Sequence, residues 1–166
     1  MDGLTANDAA DGKPYFNPTG FISRAEFATI LWRIAGEPAT AGQLSLQDIS
    51  AGQWYSGAIA WAYREGIIEG IGLDTFAPHA PITREEMAVM FFRYADSAGY
   101  DTSVPSTFNW NRFTDRGNVS VWAEEAMRWA VHNGIIIGTS VSTLSPQGTA
   151  TRAQCATILV RYINLG

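Results

Sequence analysis

The chain has 166 residues, 46% of them hydrophobic and 16% charged, with a net charge of −5. That length can bury one compact core, and the acidic balance excludes the broad basic surface that nucleic-acid binding requires. The single cysteine, Cys155, excludes an internal disulfide, and no apolar run approaches the ~20 residues of a membrane-spanning helix.

The start, Met1-Asp2-Gly3, reads as a cut boundary with no secretory leader, so an export signal is expected outside this chain. Phe16-Asn17-Pro18 follows, and then Ser23-Arg24-Ala25-Glu26. Ser23 as N-cap with Glu26 three positions on is a capping box, hydroxyl to the third amide and acid back to the cap's own amide. Ile22 before it is placed as a hydrophobic staple, and a helix is predicted near 23–35. A linker over 36–52, rich in turn formers, contains Leu46-Gln47-Asp48. A second helix is predicted near 53–65, where Trp54, Ala58, Trp61 and Ala62 recur at spacings of three, four and seven. Gly66-Ile67-Ile68-Glu69-Gly70 stops it, Gly66 suiting the left-handed position just past a helix.

Phe76-Ala77-Pro78 and Thr83-Arg84-Glu85-Glu86 then repeat the first message and predict a helix near 83–97. The linker 98–120 holds Phe113-Thr114-Asp115. A fourth helix is predicted near 121–133, from Trp122 through Trp129, ended by Gly134-Ile135-Ile136-Ile137-Gly138. That isoleucine run is also the best strand candidate, though short. Leu144-Ser145-Pro146, Thr151-Arg152-Ala153-Gln154 and a helix near 151–164 complete the chain, Gln154 keeping the capping box in neutral form. The arginines stand 60 residues apart from Arg24 to Arg84 and 68 from Arg84 to Arg152, and the three prolines keep the same offsets.

Repetition on this scale decides the architecture. The reading is an all-α bundle of repeats forming one domain over 1–166, with repeats at 1–38 (partial), 44–100 and 110–166. The first repeat lacks its leading helix: Met1-Asp2-Gly3 falls where Ile68-Glu69-Gly70 sits in the second, and a longer loop follows it.

Arg24, Arg84 and Arg152 are the chemical residues of the pattern. A cation at the first helical position faces the positive end of the helix dipole, at a cost of typically ~0.3–1 kcal/mol, and three repetitions of that choice point to a gain elsewhere. Open amides beside a guanidinium form an anion site that a carboxylate fits in bidentate fashion. Trp54 and Trp122 start their helices. The opposing reading is that each arginine pairs with an acid of the neighbouring repeat and knits the bundle together. Arg33, Arg93 and Arg161, in last turns, need only a structural role. Trp61 and Trp129 lie inside the apolar stripe and belong to the core. Cys155 aligns with Phe27 and Met87 and reads as a small buried hydrophobe. Glu65, Glu69, Glu124 and Glu125 read as solvated surface, and His79 and His132 occupy unlike positions. No catalytic set, metal site or cofactor is therefore expected.

In fixed order these motifs resemble the S-layer homology module of bacterial surface proteins: aromatic-x-Asp, a Trp-bearing helix, Gly-Ile-Ile-x-Gly, Phe-x-Pro and an Ile-Thr-Arg-Ala-Glu helix start. The second and third copies match over nearly their whole length, the first only in its second half. Departures are Ser23 for Thr, Glu85 for Ala and Gln154 for Glu. The resemblance implies a pseudo-threefold helical spindle and a non-catalytic, non-covalent anchor at the cell surface that binds an anionic, often pyruvylated, wall polysaccharide between neighbouring repeats, with Trp54 and Trp122 stacked on its sugar rings. The binding residues would be Arg24, Arg84, Arg152, Trp54, Trp122, Gly70 and Gly138, with Ser23, Glu26, Thr83, Glu86, Thr151 and Gln154 as caps. The competing expectation is protein–protein assembly of a surface layer, including self-association through the incomplete first repeat. A wall-active hydrolase would need a pair of acids at a cleft, which the repeats do not supply.

Overall fold

The computed structural model describes residues 16–40, 44–72 and 74–165. Met1-Asp2-Gly3 and the loop after it lie outside the described residues. The described residues form the helices α1 (Arg24–Ile34), α2 (Ser56–Arg64), α3 (Arg84–Ser97), α4 (Glu124–His132) and α5 (Arg152–Ile163). Short 3₁₀ turns lie at Trp110–Arg112, Arg116–Asn118 and Val121–Ala123. Among the described residues only isolated bridges occur, without a strand, so the chain is all-α.

α1, α3 and α5 start where the local chemistry directs. The side chains of Ser23, Thr83 and Thr151 accept from the amides of Glu26, Glu86 and Gln154, whose side chains accept in return from the cap amides. Ile22, Ile82 and Ala150 are buried beneath these starts. α2 and α4 begin later than the sequence suggests, because neither Tyr55 nor Ala123 supplies a side-chain cap. Trp54 therefore lies before α2, and Trp122 sits in the 3₁₀ turn that feeds α4. That turn is held from outside: the buried carboxylate of Glu85 accepts from Ser120 N at 3.0 Å and from Ser120 Oγ at 2.8 Å.

The isoleucine run after α4 is not a strand. Gly134 takes φ +68° and the amides of both Ile135 and Ile136 donate to Ala130 O, so the run closes the helix. Ile135 and Ile136 are fully buried and plug the core. Gly66-Ile67-Ile68 does the same for α2, with both amides on Ala62 O.

The three Arg-led helices form the centre. Phe27 of α1 meets Phe91 of α3 edge-on at 5.0 Å, and Phe91 stacks on Tyr162 of α5 at 4.5 Å. Full burial of a side chain such as Phe91 contributes about 1.5–3 kcal/mol. α2 packs on α1 and α4 on α3. Among the described residues the equivalent face of α5 is open: Ala153, Thr157 and Val160 are exposed, whereas Ala25, Thr29 and their α3 counterparts Glu85 and Val89 are buried.

Candidate functional site: the arginine crevices between repeats

The starts of α1, α3 and α5 interlock in a ring. Arg24 N and Ala25 N donate to Ala80 O and Pro78 O; Arg84 N and Glu85 N donate to Gly148 O and Pro146 O. Arg152 N and Ala153 N close the circle on Gly20 O and Pro18 O. The helix-start amides that the sequence reading left open to an anion are thus occupied by carbonyls of the neighbouring repeat. A helix end buried between repeats cannot leave those donors unmade, so anion recognition falls to side chains.

Each guanidinium crosses the same boundary. Arg24 Nε donates to Phe76 O at 2.8 Å, Arg84 Nε to Leu144 O at 2.9 Å and Arg152 Nε to Phe16 O at 2.9 Å. The accepting carbonyls are aimed by the turn before each proline, whose central residue (Asn17, Ala77 or Ser145) is left-handed, with φ of 44°, 56° and 51°. Such a conformation costs a non-glycine residue of order 1 kcal/mol or more and must be held from outside. Asp48 does this for the second repeat, accepting from Phe76 N at 2.9 Å and Ala77 N at 2.6 Å. Asp115 does it for the third, accepting from Leu144 N at 2.9 Å and Ser145 N at 2.8 Å. Both aspartates stood out in the sequence only in Leu46-Gln47-Asp48 and Phe113-Thr114-Asp115; their partners lie 28 to 30 residues away, beyond any local pattern.

The terminal nitrogens separate the three arginines. Arg24 Nη1 pairs with Glu86 Oε1, and Arg152 Nη1 pairs with Glu26 Oε1 at 2.6 Å. In both acceptors the second carboxylate oxygen holds the cap amide. By that register Arg84 faces Gln154, whose Oε1 takes Thr151 N at 3.0 Å. The remaining amide group is a donor and cannot accept from a guanidinium. Arg84 turns its Nη2 to Ile137 O instead. Arg24 and Arg152 are thus engaged as structural ion pairs, while Arg84 has no acidic partner among the described residues.

Two crevices line up with this difference. One, of about 260 Å³, is bounded by Arg24, Glu69, Gly70, Glu86, Arg93 and Trp122. Its cations are both compensated, Arg24 by Glu86 and Arg93 by Glu69 at 3.1 Å. The other, of about 310 Å³, is bounded by Arg84, Ile137, Gly138, Gln154, Thr157 and Arg161. Here Ile137 stands where Glu69 stands in the first, and Gln154 where Glu86 stands. Neither Arg84 nor Arg161 has an acid within salt-bridge distance among the described residues. Burial, and then the like charge of Arg161, push the Arg84 guanidinium below its ordinary value. Arg161, whose place in the last turn of α5 requires only a structural role, lines this crevice as well.

Trp122, 59% exposed, joins Arg24 and Gly70 and not Arg84. Trp54, 57% exposed, borders neither crevice and meets Tyr55 edge-on. Gly70 and Gly138 hold the crevice walls by close backbone approach: a Cβ at Gly138 would sit 2.4 Å from both Ser140 O and Thr143 O, and one at Gly70 2.9 Å from Thr75 O. Trp61, Trp129 and Cys155 are buried, and burial pushes the Cys155 thiol up to about 12. Arg33 reaches Glu37 at 3.9 Å. Among the described residues no His, Cys, Asp and Glu cluster suits a metal ion, and no helix is long and apolar enough to cross a membrane.

The S-layer homology domain model matches residues 47–88 and 112–156. The chain is 34% identical to an exoglucanase XynX of Acetivibrio thermocellus over 87% of its own length and 13% of that protein's. It is 33% identical to a surface-layer 125 kDa protein of Lysinibacillus sphaericus over 92% of its length and 13% of the relative. A cellulosome-anchoring protein of Acetivibrio thermocellus is 25% identical over 91% of the chain and 34% of that protein. The chain thus spans only a small part of these relatives, enzymes and non-enzymes alike, and what they share with it is this repeat unit. With two matches in the order of the second and third repeats, on a helical body whose caps and arginines recur, the chain belongs to the S-layer homology domain family.

Proposed function

We propose that the chain is a non-catalytic module that tethers a larger exported protein to the bacterial cell surface, by binding an anionic, pyruvylated wall polysaccharide in the crevices between repeats. One observation carries the reading. Two guanidinium groups, Arg84 and Arg161, share an open crevice with no acid to balance them among the described residues, an arrangement whose electrostatics call for an anion. A pyruvyl ketal supplies a carboxylate on a sugar ring, and the crevice offers Thr139 and Thr157 hydroxyls for the ring's own polar groups. Names among the relatives, a surface-layer protein and a cellulosome-anchoring protein, support a wall-facing role. The occurrence of the same unit in proteins named as an exoglucanase and an amylopullulanase supports a portable anchor rather than a catalyst.

The test is retention on purified wall sacculi before and after removal of pyruvyl groups by mild acid. Retention should fall sharply, and free pyruvylated polymer should elute the bound protein. Equal retention on the treated walls would refute the pyruvyl reading.

The open outer face of α5 favours a second reading, lateral protein–protein assembly. Concentration-dependent association in sedimentation velocity, with no wall retention, would select it.

A further inference from the structure

We propose that Gln154, with Ile137 beside it, determines which inter-repeat crevice admits an anion: the Arg84 crevice receives one carboxylate, while the Arg24 crevice is closed to anions by its own Glu86 and Glu69. This rests on the reading that the crevices bind the wall polymer, narrows it to the Arg84 crevice and adds a residue-level basis for selectivity.

The atoms support it. Glu26 and Glu86 each divide their two oxygens, one to the cap amide and one to the arginine of the preceding repeat in the ring. Gln154 has a single oxygen and spends it on the cap amide. The capping box survives, so α5 starts as well as its sisters, but the guanidinium opposite is left uncompensated. The second cation follows the same logic. Arg93 is held by Glu69, and the corresponding side chain beside Arg161 is Ile137, which is exposed and apolar. Two neutral residues at two equivalent positions thus convert a crevice with balanced charges into one with two uncompensated cations. An incoming carboxylate takes the place that Glu86 Oε1 holds in the sister crevice. The determinant sits in the acceptor positions, since the arginines themselves are the same in both.

The test uses reciprocal variants of the full chain. The probe is a methyl glucopyranoside bearing a 4,6-pyruvyl ketal, titrated by heteronuclear NMR, with its methyl ester as the uncharged control. Wild type should bind about one equivalent, with shifts confined to the Arg84 crevice. Gln154→Glu should weaken binding by about 30-fold or more, the range for compensating a partly desolvated charge pair. It should also raise the Tm by about 2–4 °C as the new carboxylate pairs with Arg84. Glu86→Gln combined with Glu69→Gln should open a second site beside Arg24 and Trp122, the cap being kept by the amide as Gln154 shows. Ile137→Glu, on the surface, should weaken the first site with no bearing on the cap.

If Arg161→Ala abolishes binding while Gln154→Glu and Ile137→Glu bind like wild type, the crevice reading stands and the role of Gln154 and Ile137 is overturned. If Arg161→Ala binds the probe unchanged, or the methyl ester binds as tightly as the acid, the crevice reading falls and takes the inference with it.

Discussion

Replacing Asp115 by alanine tests whether the turn before each proline is held from outside. Its carboxylate accepts from Leu144 N at 2.9 and 3.0 Å and from Ser145 N at 2.8 Å, two amides in all. Hydrogen bonds to a charged group contribute about 1.5–3 kcal/mol each. Asp115 is only half-buried, so water recovers part of that loss, and the lower end of the range applies to each. Without it the left-handed Ser145, at φ 51°, loses the acceptor that holds its amide, and Leu144 O drifts from Arg84 Nε. The expected destabilisation is about 2–3 kcal/mol. In urea unfolding this appears as a lower midpoint at unchanged m-value. Asp115→Asn keeps one acceptor oxygen and should lose about half as much. Because the same turn aims the carbonyl that positions Arg84, probe binding should fall in Asp115→Ala and survive in Asp48→Ala, whose turn serves Arg24. A loss below about 0.5 kcal/mol, the scatter of ordinary surface changes, would refute the clamp.

Gly138→Ala places a Cβ 2.4 Å from two backbone oxygens, against 2.9 Å from one at Gly70. It should cost about 2 kcal/mol or more and exceed Gly70→Ala; differential scanning calorimetry on the pair decides, and equal Tm values would contradict the packing argument. Burial raises the Cys155 thiol from 9.0 to about 12. The folded thiol therefore keeps its proton where the unfolded one loses it: its contribution is intact below pH 9 and declines as pH rises through 9 toward 12. Iodoacetamide at about pH 8 should modify Cys155 only in denaturant, as read by intact mass, and rapid labelling of the native protein would overturn that assignment.

Whatever is settled within a few residues was legible in the chain alone. A cap and its box partner stand three positions apart, so the starts of α1, α3 and α5 could be read directly, as could the buried stripes behind them. The period of the motifs then pointed to a chain of repeats and to an all-α bundle, and the five helices bear out the all-α class. The starts of α2 and α4 escaped, because their first turns lack side-chain caps and the second is held by Glu85, 35 residues upstream of Ser120. The Ile135-Ile136-Ile137 run looked like a strand because burial alone does not distinguish a strand from a plug at a helix end.

The charges were decided only in three dimensions. Arg24, Arg84 and Arg152 share one position, directly after the N-cap, yet the partner of Arg24 and of Arg152 lies on another repeat, 62 residues away for Arg24 and 126 for Arg152. Whether a guanidinium is balanced depends on the residue that the ring of repeats brings opposite. Capping chemistry is a local affair that Glu and Gln satisfy equally. Charge compensation acts through space across the repeat boundary, and there the same exchange leaves two balanced arginines and one open.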